Sequence, residues 1–352
     1  MVRKRVTSTM VAKQAGVSQT TVSFVLNEVE GQNISPETTE RVLNAARDLG
    51  YVPDAAARML ARGVSDNVAL VLTRPHDAVL SDEYVSYILT GIAKVFRKDA
   101  HRILLEFVDE DTQGRTYLKL AHGKEAVGLL VIPYNPTNKD IAVMRELSAE
   151  DFPIITLGKV HDDIRSVSIK DQKGVLDALT HLYDLGHRRI AAISYAPQGG
   201  AMSPMGRLQT YERFTDEMNL DSRDELVQYG SFTPKSGYQA TRRLLKLDRP
   251  PTAIFALNDI MAFGAMTAIQ EAGLKVPEDI SVVGYDGIHL ARYATPSLTT
   301  IEAPNLEQGH YAAEMLLKLI NGKKLDSRQV ELQSKLVIRD SCGYNLKHSH
   351  RR

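Results

Sequence analysis

The chain has 352 residues, enough for two or three domains at about 100–200 residues each, and its 43% apolar and 24% charged residues suit a folded globular protein. Its 43 basic residues balance its 43 acidic ones, so no global field marks a nucleic-acid or membrane partner. The single cysteine, Cys342, excludes an intrachain disulfide framework and fits a reducing compartment. The longest apolar stretch, around Val127–Tyr134, is far short of the about 18 residues that span a bilayer, and no apolar segment follows the basic N-terminus. A soluble, cytoplasmic, multidomain protein with no membrane partner is expected.

Charge is uneven at the start of the chain: Arg3, Lys4, Arg5 and Lys13 precede the first acid, Glu28. Three short helices are expected in the first fifty residues. The first runs from about Thr7 to Ala15 with Met10, Val11 and Ala15 on one face, and Gly16 suits the positive φ that ends it. Ser18 can cap a second helix carrying Val22, Val25 and Leu26 at helical spacing. Ser35-Pro36-Glu37 opens a third, with Val42, Leu43, Ala46 and Leu49 as its buried stripe and Gly50 as its end. Pro53 and the alanine-rich Asp54–Arg62 follow, and Gly63-Val64-Ser65 loosens the chain.

From Val68 the pattern becomes apolar strands separated by amphipathic segments. Strands are expected at Val68–Thr73, Ile103–Val108, Val127–Pro133, Ile154–Gly158, Ser166–Ile169, Arg189–Ser194, Leu226–Tyr229, Ala253–Ala256, Ser281–Tyr285 and Thr299–Glu302. Helices between them include Asp82–Arg97, Lys170–Leu185, Pro204–Met218, Pro234–Leu245, Ile260–Ala272 and Leu306–Ile320. This alternation implies parallel sheets covered on both faces, and its length favours two doubly wound subdomains over one sheet.

A short helix, a glycine turn and a helix opening on small polar residues describe a helix-turn-helix, whose second helix can read the DNA major groove. Gln19 and Thr20 stand at its N-terminus, with Ser23 and Phe24 one turn on. A small helical protein-interaction module is the blander alternative. In the core, Asn258 and Asp286 follow strands and Arg207 follows the Gly199-Gly200 loop, so all three belong at the carboxyl edge where such sheets bind ligands. Asn258 and Asp171 as helix caps, Phe232 as a core aromatic and Arg207 as a surface ion-pair partner remain the alternatives. No HExxH, GxSxG or Walker loop is present, since Gly123-Lys124 lacks the following Ser or Thr, so neither an enzyme nor a cofactor or metal is expected.

The run Val11–Asn27 (VAKQAGVSQTTVSFVLN) resembles the headpiece of the lactose-repressor (LacI/GalR) family. The likeness continues through Ser35–Thr38, Leu49–Pro53, Ala57–Leu60, Leu185–Ile190, Ala256–Asp259, Val276–Asp286 and Thr295–Thr300, nearly the whole chain. It implies an all-α helix-turn-helix headpiece at 1–50, a hinge at 51–64, and an α/β periplasmic-binding-protein-like core at 65–340. One subdomain is expected over about 65–164 plus 295–325, the other over about 165–294 plus 326–340, and a tail follows at 341–352. The resemblance implies DNA contacts at Thr7, Ser18, Gln19, Thr20, Ser23, Phe24 and Asn27, and Leu60 as a minor-groove wedge beside the small Ala57. It implies effector contacts at Asp171, Arg207, Phe232, Asn258 and Asp286, a sugar being expected ahead of a purine. The expected activity is repression from a pseudo-palindromic operator by a homodimer, because the last nine residues carry one leucine and no heptads. Two positions depart from the family pattern: Phe24 replaces a common arginine, and Gly287 a common acid. A periplasmic solute-binding protein would share the core fold but not the added headpiece.

Overall fold

The structure is a computed structural model that describes residues 6–27, 31–52, 65–73, 83–99, 101–108, 112–134, 136–195 and 204–343. The chain separates into two compact units, Met1–Ser65 and Asp66–Arg352. The expected hinge helix with Ala57 and Leu60, the arginine-lysine arm at 3–5 and the tail beyond 343 lie outside the described residues.

In the first unit, α1 (Ser8–Ala15), α2 (Gln19–Leu26) and α3 (Pro36–Leu49) enclose a small core. Gly16 ends α1 at φ 67° and Gly50 ends α3 at φ 64°, both in the left-handed region where a Cβ is costly. Ser18 caps α2 by accepting the Thr21 amide at 3.0 Å, and Ser35 caps α3 through the Thr38 amide at 3.2 Å. The buried positions are Val11, Ala12 and Ala15, Val22 and Val25, and Val42, Ala45 and Ala46. Met10 and Leu43, expected inside, are 43% and 44% exposed. Their places are taken by Ala12 and Ala45, which fall on the i, i+3, i+4 stripe that faces the neighbouring helices.

The second unit holds two six-stranded sheets. The first is all parallel, in the order β11 (Gln329–Gln333), β5 (Ser166–Lys170), β4 (Ile154–Leu157), β3 (Gly128–Ile132), β1 (Asn67–Leu72), β2 (Arg102–Phe107). Alternation along β1 feeds both faces. Val68, Leu70 and Leu72 pack with α4 (Glu83–Phe96) and α11 (Asn305–Ile320), while Ala69 and Val71 pack with α5 (Gln113–His122) and α6 (Asn138–Ala149). A Cβ on Gly91 would collide with the backbone of α11, and one on Gly309 with that of α4, so the two helices cross almost backbone to backbone.

The second sheet runs β12 (Lys335–Val337), β10 (Thr299–Glu302), β9 (Ser281–Asp286), β8 (Ala253–Ala256), β6 (Ile190–Ser194), β7 (Val227–Tyr229), with only β12 antiparallel. Helices α7 (Asp171–Asp184), α8 (Pro204–Glu217), α9 (Pro234–Leu244) and α10 (Asp259–Glu271) contribute to its core.

The chain passes between sheets three times: from β5 to α7, from β10 to α11, and from β11 to β12. The expected subdomain limits differ from these passages. β5 and β11 belong to the first sheet rather than the second, and β10 to the second rather than the first. The reason is strand pairing: β11 returns late to cover the open edge of β5, and β10 pairs with β9 before the chain leaves. The passages are packed together, since Ser334 donates to the Lys170 carbonyl at 3.2 Å and a Cβ on Gly174 would lie 2.6 Å from both Ile301 and Ser334.

Candidate functional site

Both sheets direct their carboxyl ends toward one open cavity of about 250 Å³. The first half contributes Leu157, Gly158 and Lys159 after β4, Ser168 and Ile169 of β5, Glu331 of β11, Tyr84 of α4 and Gln308 of α11. The second contributes Asp171, Tyr195, Arg207, Phe232, Asn258 and Asp286. All five expected effector residues therefore line a single cleft, although up to 115 positions separate them in sequence.

Arg207 is the organising cation. Its Nε donates to Asp171 at 2.9 Å, an Nη donates to the Leu257 carbonyl at 3.0 Å, and the guanidinium stacks 3.5 Å from the centre of the Tyr285 ring. The Tyr285 hydroxyl donates to the other Asp171 oxygen. Burial alone would lower the arginine pKa, but Asp171 and the neighbouring Tyr195, Tyr285 and Asp286 outweigh it and hold the value well above normal. Tyr285 is likewise raised, first by burial, and keeps the proton it donates. The pair is buried, with side chains 13% and 6% exposed, so Arg207 is no surface ion-pair partner. Asp171 is the first residue of α7 rather than its cap.

Asn258 is a cap and a lining residue at once. Its Oδ1 accepts the Met261 amide at 2.9 Å, which opens α10, while its buried Nδ2 has no partner among the described residues. Phe232 is likewise core and lining together: it is buried, lies 4.0 Å from the Tyr195 ring centre and meets Tyr134 edge-on at 5.8 Å. Its φ of 56° and the 109° of Asp286 are conformations L-residues rarely adopt, a strain that gathers at functional positions. The sequence reading missed Tyr285 and Tyr195, and missed the whole contribution of the first half. Tyr285 was nonetheless adjacent to Asp286 on a strand identified from its apolar run.

In the first unit, Gln19, Thr20, Ser23, Phe24 and Asn27 form a stripe on α2 away from buried Val22 and Val25. Gln19 Nε2 donates to Ser8 Oγ at 2.7 Å across the turn, and Asn27 Nδ2 donates to Ser23 Oγ at 3.1 Å. Thr7 precedes α1 and is exposed, as is Ser18, whose hydroxyl is engaged in the cap. Phe24 is half-buried and outside the small core.

A three-helix unit with an outward polar second helix, joined to a two-sheet ligand cleft, matches two family models. Residues 9–54 match the bacterial regulatory proteins of the lacI family, and residues 179–342 the periplasmic binding protein-like domain. The chain is 32% identical over 334 residues to the HTH-type transcriptional repressor PurR of Histophilus somni, covering 94% of this chain and 97% of that protein. The chain belongs to the LacI family. Among solved structures, this LacI-family regulator resembles the lac repressor dimer bound to operator and the anti-inducer ONPF at TM-score 0.80 and 29% identity, covering 96% and 99% of the two chains. It also resembles the transcriptional regulator CelR–cellobiose complex at TM-score 0.69 and 30% identity, covering 96% and 100%. It is a DNA-binding repressor regulated by an effector, not an enzyme. Among the described residues no helix is long and apolar enough to cross a membrane.

Proposed function

We propose that this repressor binds a pseudo-palindromic operator as a homodimer and that a sugar in the two-sheet cleft sets its operator affinity. Residues 1–50 form the headpiece, 51–64 the hinge and 65–340 the effector core. Thr7, Ser18, Gln19, Thr20, Ser23, Phe24 and Asn27 meet the DNA, with Leu60 as a minor-groove wedge and the small Ala57 letting the paired hinge segments approach on the DNA. Phe24 offers only apolar contact, for example to a thymine methyl, so guanine is disfavoured where a relative's arginine would select it.

The observation that carries the effector reading is the cleft itself. Asp171, Arg207 and Tyr285 are locked to one another, while Asn258 presents a buried donor with nothing of the described protein to receive it. Fixed polar groups beside the aromatic rings of Tyr84, Tyr195 and Phe232 suit a ligand bearing several hydroxyls on a ring. The name PurR carried by curated relatives favours a second reading, a purine held against Phe232. A thermal-shift screen of the full chain with sugars and purines separates the two, because a ligand of the folded state raises the melting temperature by mass action. A sugar that both stabilises the protein and changes its retention on operator DNA supports the first reading. A response to purine bases alone supports the second.

A further inference from the structure

Two amide side chains in the cleft each spend one end on the backbone and leave the other end buried without a partner among the described residues. Asn258, 1% exposed and part of the second half, gives Oδ1 to the Met261 amide and leaves Nδ2. Gln308, 3% exposed and carried on α11 of the first half, donates Nε2 to the Val167 carbonyl at 2.8 Å and leaves Oε1. The backbone partners fix both orientations: turning either amide over would set donor against donor or acceptor against acceptor. Both residues line the cleft, so its wall holds one buried unmet donor from one half and one buried unmet acceptor from the other, each costly until a partner answers it.

We propose that Gln308 is an effector contact, acting with Asn258 from the other half, and that the effector is a neutral, hydroxyl-bearing molecule rather than a phosphorylated or carboxylated one. This rests on the reading of the cleft as the effector site. A hydroxyl both donates and accepts, so a polyol can supply a proton to Gln308 Oε1 and a lone pair to Asn258 Nδ2. A phosphate or carboxylate only accepts, and against Oε1 it would place oxygen on oxygen. The charges agree. Among the described lining residues, carboxylates come from Asp171, Asp286 and Glu331, and the two cations are already paired, Arg207 with Asp171 and Lys159 with Asp162 at 2.8 Å. Among the described lining residues no cation is left over for an anion. The acceptor and donor sit on different halves, so a ligand that answers both ties the halves together.

The test is calorimetric titration of the full chain with glucose, galactose, xylose, maltose and cellobiose, and with glucose 6-phosphate, glucuronate and hypoxanthine. A neutral saccharide is expected to bind, and its phosphate or uronate to bind about tenfold or more weakly, since a site built for hydroxyl hydrogen bonds rejects groups that leave them unmade. Gln308→Leu, close in size, should weaken the saccharide by a similar factor. Asn258→Asp should do the same while keeping the oxygen that caps α10, so its fold is preserved. Preferred binding of an anionic probe, binding of hypoxanthine alone, or binding of none of the neutral probes overturns the inference. Wild-type saccharide affinity in Gln308→Leu with a loss in Asn258→Asp overturns it but leaves the cleft as the effector site. Wild-type affinity in both removes the cleft reading as well.

Discussion

The headpiece and the effector cleft use polar side chains in opposite ways. On α2 the polar stripe of Gln19, Thr20, Ser23 and Asn27 lies on the outside of a helix whose packing is done by Val22 and Val25. In the cleft, Asp171, Asn258 and Gln308 are all more than nine-tenths buried, and each also holds a structural bond: to Arg207 and Tyr285, to the start of α10, and to β5. On the proposed contacts, recognition and packing fall to different side chains along the α2 stripe and to the same side chains in the cleft. Substitutions in the two regions should therefore differ in kind as well as in size.

The largest effect is expected from Asp171→Ala. It removes the carboxylate between Arg207 and Tyr285 and leaves a buried guanidinium without its main counter-charge. Breaking a buried pair from one side costs about 3–5 kcal/mol, so the core should lose that much stability in urea as well as its ligand response. A variant as stable as the parent would show that function and folding are separable in the cleft too.

Asp259, next to Asn258, extends the same fusion to pH. Burial pushes its carboxyl up to about 7, against hydrogen bonds from Thr300 Oγ1 at 2.5 Å and the Ile288 amide at 2.9 Å. The folded value lies above the ordinary carboxylate value of about 3.9, so between those values the folded chain holds a proton that the unfolded chain has released. The contribution is complete below about pH 4 and is lost as pH rises through about 7, about 4 kcal/mol in all. Urea melts of wild type and Asp259→Asn between pH 5 and 8 should show a shallower decline in the variant, whatever constant offset the lost acceptor adds. Equal slopes would place the titration elsewhere.

The same contrast explains what the sequence discloses. The α2 stripe is local, so its faces follow from 3.6-residue periodicity within nine positions, and the misassigned headpiece positions, Met10 and Leu43, lie on the flanking helices α1 and α3. The central strands are legible because burial on both faces makes them continuous apolar runs, as in β3 and β6. The edge strands β11 (QVELQ) and β12 (KLV) are half-exposed and carry no such run, and with them goes the correct path between the halves. The expected cleft residues all belong to the second half or its entrance, where each follows a strand or opens a helix. Gln308 does neither. It lies inside α11, and only the pairing of that helix with β5, 141 positions away, brings it to the cleft.

Gln19→Ala is the smallest expected change, and it tests the headpiece side of the comparison. Gln19 is exposed at the N-terminus of α2, and its one described bond, to Ser8 Oγ, joins two side chains at the surface. Surface substitutions of this kind usually stay within about 0.5 kcal/mol of the parent, so the melting temperature should hold. If Gln19 reaches a base edge, operator affinity should fall by about 1–3 kcal/mol, and a selected-site profile should relax at one position of each half-site rather than weaken evenly. An even weakening would make Gln19 a phosphate contact, which positions the headpiece without reading sequence. A lowered melting temperature with an unchanged profile would mean that its bond to Ser8 braces the turn between α1 and α2, and that the headpiece fuses stability with recognition as the cleft does.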